Sequence, residues 1–275
     1  MRQGRSCTAL FPILTECEVF LLEQYTLWKS LITAGDPVTA WQKFYVYFYQ
    51  AFIEADRWKQ YMGGVGRTLY VTALALILGV VLGVIVAVVR TAHDQQRPGH
   101  KNPALEILNF IFKIYTTVIR GTPMMVQLLI MGFVIFASSK NFALVGALTL
   151  GINSGAYQAE IIRGGLMSVD GGQMEAGRSL GMNYIDTMRF IIIPQAVKAI
   201  LPALGNEFIV LLKDTSLISV IGGKELLYAA RAIVSRTYEA MFPYLGTAVI
   251  YLVLVMLFTW LLGTFERRMR QSDRR

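Results

Sequence analysis

The sequence predicts an all-α membrane protein with five transmembrane helices. The chain has 275 residues, of which 55% are hydrophobic and only 16% are charged, whereas a soluble globular chain carries about 25% charged residues. Its mean hydropathy is +0.49. The charges are also missing from long stretches of the chain, and a helix needs about 20 apolar residues to cross a bilayer. These observations argue against an ordinary soluble enzyme.

Four of the predicted spans are built around windows without a charge. Leu69 to Val89 and Tyr244 to Phe265 contain 21 and 22 uncharged residues. Gly121 to Ser139 and Phe142 to Ala159 contain 19 and 18. Buried core helices of soluble proteins are shorter than this. With a further span described next, the predicted transmembrane helices cover about residues 68–90, 120–138, 142–163, 199–222 and 244–265.

The span at residues 199–222 differs from the others because charged residues lie in its interior and not only near its ends. Glu207, Lys213 and Asp214 lie within it, and each charge at the centre of a membrane helix costs about 2.5–3.5 kcal/mol. Together with Asn206 they fall within an arc of about 120° on a helical wheel. We therefore expect this helix to turn one polar face toward the bundle interior, a partner or water.

Basic residues in the connecting segments predict the orientation. Fourteen lie in three segments, which are Arg90 to Arg120, Arg163 to Lys198 and the chain after Phe265, against four in the loops of the opposite side. The positive-inside rule then places the N-terminus outside and the C-terminus in the cytoplasm. The net charge of +8 is therefore interpreted as topological, and no nucleic-acid partner is expected.

Three regions are predicted along the chain. Residues 1–63 form an N-terminal extension that is partly interfacial or disordered, residues 64–266 form the transmembrane domain, and residues 267–275 form a basic cytoplasmic tail. The extension is rich in aromatic residues between Lys43 and Tyr61, which is typical of a helix at the membrane surface. The alternative, which we favour, is an extension without a specific role. The sequence leaves open whether Cys7 and Cys17 form a disulfide.

The chain offers little material for catalysis or for metal binding. It has two histidines and two cysteines, too few for a His/Cys metal site, and no serine stands in a nucleophile elbow. The glycines between Gly63 and Thr68 look like the end of a phosphate-binding loop, but the earlier glycine and the lysine of that motif are missing. We predict no metal and no cofactor in this chain, so any ATP is bound by another chain.

A short helix–glycine–helix segment is predicted between the third and fourth spans. Gln173 to Leu180 forms the first helix, and Gly181 ends it, since glycine is the usual residue just past a helix C-terminus. Asn183 is the predicted N-cap of the second helix, which Pro194 is expected to limit. An ordered and apolar loop of this kind docks either on its own bundle or on a cytoplasmic partner.

The same segment resembles the EAA loop of ABC importer permeases. Glu175-Ala176-Gly177, then Gly181, then Ile191-x-Ile193-Pro194 follow the spacing of that loop. The sequence departs from it at Gly177, where the family has a second Ala, and at Ile193, where it has Leu. Neither change removes the resemblance.

Further motifs resemble the polar amino-acid branch of these permeases, which serves His, Glu, Gln, Arg, opines and related substrates. They are Arg120-Gly121-Thr122-Pro123, Asn153-Ser154-Gly155-Ala156-Tyr157, Glu160-Ile161-Ile162-Arg163-Gly164-Gly165 and Lys213-Asp214-Thr215-Ser216-Leu217. The resemblance covers about Gly64 to Phe265, and the N-terminal extension lies outside it.

The resemblance implies a type-1 transmembrane domain in an ATP-driven importer of polar amino acids in a bacterial cell membrane. In such importers two permeases, either two copies or two related chains, form the path above two ATP-binding subunits. An extracellular or periplasmic binding protein delivers the amino acid. The alternative of another class is an ion-gradient-driven secondary transporter, but such proteins often contain inverted repeats, and no second copy is found here.

The resemblance also assigns a coupling site, through which the permease responds to its ATPase. The residues of this site are Glu175, Ala176, Gly177, Gly181 and Pro194. Glu175 offers a charge-assisted hydrogen bond to a basic ATPase residue. Its alternative role is to stabilise the N-terminal end of its own helix, worth about 0.3–1 kcal/mol.

Polar side chains within the spans are candidates for the substrate path. Asn153, Tyr157 and Glu160 share one face of the third span, within about 60°, and Asn206 and Glu207 lie in the fourth. A zwitterionic amino acid needs a cation for its carboxylate and acceptors for its ammonium group, and both kinds of group are present in these spans.

Lys213 and Asp214 have two open roles. In the first role, Lys213 binds the substrate carboxylate, and Asp214 accepts a hydrogen bond from the ammonium group, as Glu160 or Glu207 could. Alternatively, Lys213 and Asp214 form an intramembrane charge pair whose groups neutralise each other across a dimer interface. We favour the second interpretation, because the two residues are adjacent in the chain.

Overall fold

The described chain is built from helices, as predicted. The computed structural model describes residues 11–96 and 102–272, and within these ranges no residue lies in a β-strand. The helices are α1 (Phe11–Ala34), α2 (Ala40–Phe52), α3 (Arg57–Asp94), α4 (Pro103–Gly121), α5 (Met124–Ile130), α6 (Phe142–Met167), α7 (Gly171–Ser179), α8 (Tyr184–Thr187), α9 (Ile193–Asp214), α10 (Leu226–Thr237) and α11 (Met241–Ser272). Side chains are described for residues 22–96 and 102–269, so the possible Cys7–Cys17 bridge and the end of the basic tail lie outside them.

The chain is divided into two compact units. The first comprises the chain up to Gln60 together with Ala230–Gly246. Within it, α1 packs against α2 through aromatic side chains. The rings of Tyr25 and Tyr49 are stacked with their centroids 4.4 Å apart, and those of Trp28 and Tyr45 meet edge to face at 5.3 Å. Aromatic pairs of these geometries are favourable beyond the area that they bury.

The second unit comprises Tyr61–Ala229 with the chain from Thr247 onward, and its helices pack around α6. Helices α3 and α6 are parallel, because Gly151 lies against Leu78 at one end while Arg163 pairs with Asp94 at the other. Helix α9 is antiparallel to α6, since Gly146 lies against Ile218 and Gly165 against Ile200.

Helix α11 is in turn antiparallel to α9. Phe208 meets Phe258 with ring centroids 4.8 Å apart, and Gly205 lies against Leu262. The C-terminal ends of α3, α6 and α11 therefore lie at the same end of this unit as the beginning of α9. Helices α7 and α8, which connect α6 to α9, lie at that end too.

Three helical segments in the described chain are long and apolar enough to cross a membrane, namely Glu54–Asp94, Tyr184–Ile221 and Met241–Met269. A fourth is possible if the bent pair Pro103–Gly121 and Met124–Ile135 forms one span. Helix α6, the predicted third span, is long enough at 26 residues but is absent from this set. It is the central helix, and polar residues such as Ser154 and Gln158 are fully buried in it. A helix surrounded by protein can contain such residues, which lower its hydropathy.

The prediction of one span at residues 120–138 was wrong in its boundaries. The chain breaks at Thr122 and Pro123, and the helices on the two sides are bent by 106°. Thr122 is extended, with φ −112° and ψ 143°, as the residue before a proline prefers. Residues 103–121, assigned to a basic loop from the sequence, instead form α4. Lys113 and Arg120 are therefore helix residues.

The prediction that Pro194 limits the second helix of the loop was also wrong. The chain from Tyr184 to Ile221 forms one long helical segment. A π-helical turn at Met188–Ile192 precedes Pro194, which lies in the first turn of α9. Proline is accommodated here because the preceding π-helical turn already interrupts the regular i→i−4 hydrogen bonds, which a proline cannot join. The segment ends at Gly222, whose φ is +85°, at the predicted boundary.

Candidate functional site

The segment that resembles the EAA loop begins and ends with local caps. The side chain of Asp170 accepts a hydrogen bond from the N–H of Gly172 at 2.7 Å and starts α7. Gly181 then adopts φ +79°, as predicted for the residue that ends this helix. Asn183 accepts from the N–H of Asp186 at 2.9 Å and caps α8, also as predicted. The helix–glycine–helix geometry therefore follows from local sequence.

The two faces of this segment have different surroundings. Gly177 is buried against α8, whereas Glu175 and Ala176 are exposed. Leu180 and Ile185, with 80% and 72% of their surface exposed, lie nearby in the chain. The segment thus packs α7 against α8 through one face and leaves Glu175, Ala176, Leu180 and Ile185 uncovered.

The predicted polar face of α6 meets the break between α4 and α5. The amide of Asn153 donates to Oε1 of Gln127 at 3.0 Å. The amide of Gln127 in turn donates to the carbonyl of Ile119 at 2.7 Å and to Oγ1 of Thr122 at 2.8 Å. Gln127 therefore satisfies a backbone carbonyl at the end of α4 and connects the break to α6.

Glu160 lies at the centre of a charged cluster that joins α3, α4 and α6. It forms an ion pair with Arg90, its Oε2 lies 3.5 Å from Nε of Arg163, and its Oε1 lies 4.0 Å from Nη1 of Arg120. Arg163 also contacts Asp94, with an N–O distance of 3.1 Å. Three arginines against two carboxylates leave this cluster with a net positive charge.

Arg120 is the most accessible cation of the cluster. Its side chain is 43% exposed, against 16% for Arg90. The guanidinium lies over the ring of Tyr157, 5.1 Å from the centroid, and Tyr157 is itself exposed. The sequence did not predict that Arg90, Arg120 and Arg163 meet in one cluster around Glu160. One local signal was available, the spacing of three residues between Glu160 and Arg163.

Glu207 occupies a separate position, at the contact between α6 and α9. It accepts a hydrogen bond from the hydroxyl of Ser154 at 2.7 Å. That hydroxyl accepts one from Nε2 of Gln158 at 2.8 Å. Asn206, its neighbour in the chain, is exposed. The structure thus does not bring Glu207 together with Glu160 and Tyr157.

Lys213 and Asp214 lie at the end of α9, where the helix tightens into a 3₁₀ turn at Thr215–Ile221. Lys213 is exposed and Asp214 is half-buried. None of the ion pairs among residues 22–96 and 102–269 joins them.

No group of three or more His, Cys, Asp and Glu residues in the described part of the chain is placed to hold a metal ion.

Comparisons with known proteins agree with the resemblance found in the sequence. Residues 104–271 match the family described as "Binding-protein-dependent transport system inner membrane component". The chain is 36% identical to the putative glutamine transport system permease protein GlnP of Rickettsia conorii over 74% of its own length and 89% of that protein. It is 34% identical to the glutamine transport system permease protein GlnP of Escherichia coli K12, over 75% of this chain and 91% of that one.

A solved structure is similar along nearly its whole length. It is the crystal structure of an amino acid ABC transporter with histidines, with 43% sequence identity and a TM-score of 0.68. The alignment covers 76% of this chain and 94% of the other.

Proposed function

Since this chain belongs to the family of binding-protein-dependent transport system inner membrane components, we propose that its α7–α8 segment couples it to an ATPase and that the polar face of α6 lines its substrate path. The chain is the permease subunit of an ABC importer for amino acids, and ATP hydrolysis takes place in a separate subunit. This function replaces the ion-gradient-driven alternative. We further propose that this chain holds no cofactor of its own and that ATP is bound only by the partner.

The proposed topology has five crossings. Helices α3, α6 and α11 cross in one direction and α9 in the other, and the pair α4 and α5 supplies the remaining crossing. The end of the bundle that carries α7 and α8 faces the cytoplasm of a bacterial cell, and the C-terminus lies there too. The excess of basic residues near this end supports the assignment.

The coupling proposal rests on the exposed face of α7. A capped helix with an exposed carboxylate at Glu175, beside exposed Leu180 and Ile185, has the chemistry of a protein contact, in which apolar area is buried and a charge pairs with a basic group. Ala176 belongs to this face. Gly181 and Pro194 shape the segment through the exit from α7 and the start of α9.

The experiment for coupling reverses one charge. We expect Glu175→Lys to leave the permease in the membrane but to lower both the copurification of the ATPase and the uptake of amino acid. Glu106→Lys is the matched control and should leave copurification unchanged, because Glu106 is likewise an exposed acidic helix residue but lies on another helix, α4. Normal ATP-driven uptake by the Glu175 variant would refute the coupling role.

The proposed path runs along Asn153, Tyr157 and Glu160. Tyr157 is exposed, and Asn153 and Glu160 are half-buried. Polar groups that reach the surface of a membrane helix need water or protein around them, which supports a path or a subunit boundary at this face. Arg120 offers the cation for a substrate carboxylate, in place of Lys213, and Glu160 offers the acceptor for an ammonium group. Glu207 and Asn206 supply a second polar stripe on α9. Asn153→Leu should change uptake kinetics without preventing assembly, and unchanged kinetics would count against this path.

The partners follow from this function. We propose that the chain works with an ATP-binding subunit, an extracellular or periplasmic binding protein and a second permease, which is another copy or a related chain. The curated relatives are named for glutamine, so a polar amino acid of that class is the proposed cargo. Reconstitution with the copurifying ATPase and binding protein, followed by uptake of labelled amino acids, tests the assignment.

We also propose that the hairpin of α1 and α2 lies at the membrane surface. Phe44 and Phe48 contact the ring of Phe242 in the first turn of α11, with centroids 5.2 Å and 6.4 Å apart. The same two side chains and Trp41 remain exposed on α2. Because α11 is apolar enough to cross the membrane, its first turn marks the boundary of the bilayer, where aromatic side chains are favoured.

A further inference from the structure

A groove of about 500 Å³ opens between α3, α6 and α9, on the half of these helices that ends beside α7 and α8. Its walls are almost wholly apolar, with Val84 and Val88 from α3, Ile162 and Leu166 from α6, and Val197 from α9 among the lining residues. Within the membrane, a concave apolar surface of this kind accommodates a flexible hydrocarbon chain.

The groove continues into a second cavity of about 510 Å³ with a different character. The two share the side chains of Ala92, Leu166, Tyr184 and Met188. Polar groups line the second cavity, among them Gln96, Asp170 and Arg178. An apolar groove that leads directly into a polar cavity matches a molecule with a hydrocarbon part and a polar part.

The charges at this site favour an anion. Arg178 lines the polar cavity and Arg189 lines the groove, and both side chains are exposed. The carboxylate in the cavity, Asp170, accepts the N–H of Gly172 at the start of α7, so part of its hydrogen-bonding capacity is already used. Basic pockets of this kind between membrane helices bind anionic lipid head groups.

Two buried polar atoms at the site have no hydrogen-bond partner among the described residues. They are Oγ1 of Thr91, which lines the groove, and Nε2 of Gln96, which lines the polar cavity. Thr91 is only 7% exposed. A buried donor without an acceptor is costly, and the ester and phosphate oxygens of a phospholipid are acceptors at the right end of the groove.

We propose that an anionic phospholipid of the surrounding membrane binds at this site, with an acyl chain in the groove and its phosphate in the polar cavity. Such a lipid contacts α3 on one side and the α7–α8 segment on the other, so it adds a contact between a membrane span and the coupling segment. The site is distinct from the substrate path, and its occupant comes from the bilayer.

The experiment measures how much phosphatidylglycerol the permease retains. The permease and its ATPase are reconstituted in phosphatidylglycerol and phosphatidylethanolamine, washed into detergent and analysed by mass spectrometry. Val84→Trp fills the groove, and Arg178→Gln removes the cation that lines the polar cavity. Each variant is expected to lower phosphatidylglycerol retention about tenfold, which corresponds to ~1.4 kcal/mol.

Val81→Trp is the matched control, because Val81 lies on the same helix and is 51% exposed but does not line the groove. It should retain as much lipid as the unmodified chain. Equal retention by all variants, or an equal loss in the control, would overturn the proposal. A third outcome would also overturn it: the unmodified permease retains no lipid, and Val84→Trp dissociates the permease dimer. The groove would then be a contact between permeases.

Discussion

Gly177 in α7 lies directly against Thr187 in α8, so the two helices touch with no room for a side chain at position 177. A Cβ atom at position 177 would lie 2.6 Å from Cγ2 and 2.8 Å from Oγ1 of Thr187. Thr187 is fully buried, and its hydroxyl donates to the carbonyl of Asn183 at 2.9 Å. The EAA pattern has alanine at this position. Here the side chain of Thr187 on α8 occupies the space that the alanine methyl group would need, so glycine is required.

This contact predicts a compensating pair of substitutions. Gly177→Ala should destabilise the segment by about 1–3 kcal/mol, the usual cost of overpacking, and should reduce ATPase copurification. Gly177→Ala combined with Thr187→Ala removes the crowding methyl group and should recover most of the loss. Thermal unfolding and copurification of both variants measure the effect. A double variant no better than the single one would show that the crowding is not the cause.

The local features of this segment were predictable because they depend on neighbouring residues. Gly181 with positive φ and Asn183 as an N-cap follow from rules that act over a few residues. The break at Thr122 and Pro123 also has a local signal, since a residue before proline avoids helical geometry. The uncharged window from Gly121 to Ser139 nevertheless predicts one continuous helix, because hydropathy does not respond to this backbone preference.

The cluster around Glu160 was not predictable in this way. Its arginines come from three helices, and Arg90 is 70 positions away from Glu160 in the chain. Only the packing of α3 and α4 on α6 brings these charges together. Conversely, Asn206 and Glu207 share a polar arc with Lys213 and Asp214 on a helical wheel, but hydrogen bonding to Ser154 holds Glu207 at the contact with α6.

The interface between α3 and α6 predicts a difference between two glycines of one helix. A Cβ at Gly83 would lie 2.9 Å from Cβ of Gln158 and 3.1 Å from the backbone nitrogen of Ala159. Gly83→Ala should therefore lower the thermal stability, because backbone atoms cannot move aside cheaply.

Gly66 is the matched control for Gly83, since nothing lies within 4 Å of a Cβ at that position. Gly66→Ala should leave the stability unchanged or raise it by up to about 1 kcal/mol through helix propensity. Unfolding of both purified variants in the same detergent checks the prediction, and equal melting temperatures would contradict it.

The charged cluster predicts a second compensating pair. Glu160→Gln leaves Arg90, Arg120 and Arg163 with a single carboxylate, Asp94, and should destabilise the protein. We expect about 1–3 kcal/mol, less than the ~3–5 kcal/mol of a fully buried pair, because the Glu160 side chain is 26% exposed.

Adding Arg90→Gln to the Glu160 variant removes the most buried arginine of the cluster, and it should restore part of the lost stability. Melting temperatures of the two single variants and the double variant form a double-mutant cycle. Strictly additive changes would mean that Arg90 and Glu160 do not interact.

The hairpin of α1 and α2 predicts where its tryptophans lie relative to lipid. Trp41 is 67% exposed, whereas Trp28 is half-buried against Tyr45. If α2 lies at the membrane surface, lipids brominated near the head group should quench Trp41 strongly. Trp41→Tyr should then reduce the quenched fraction of the fluorescence more than the control Trp28→Tyr does. A quenched fraction in Trp41→Tyr no lower than in the unmodified chain would place the exposed face of α2 in water, because only a ring in contact with lipid is quenched by the bromine atoms.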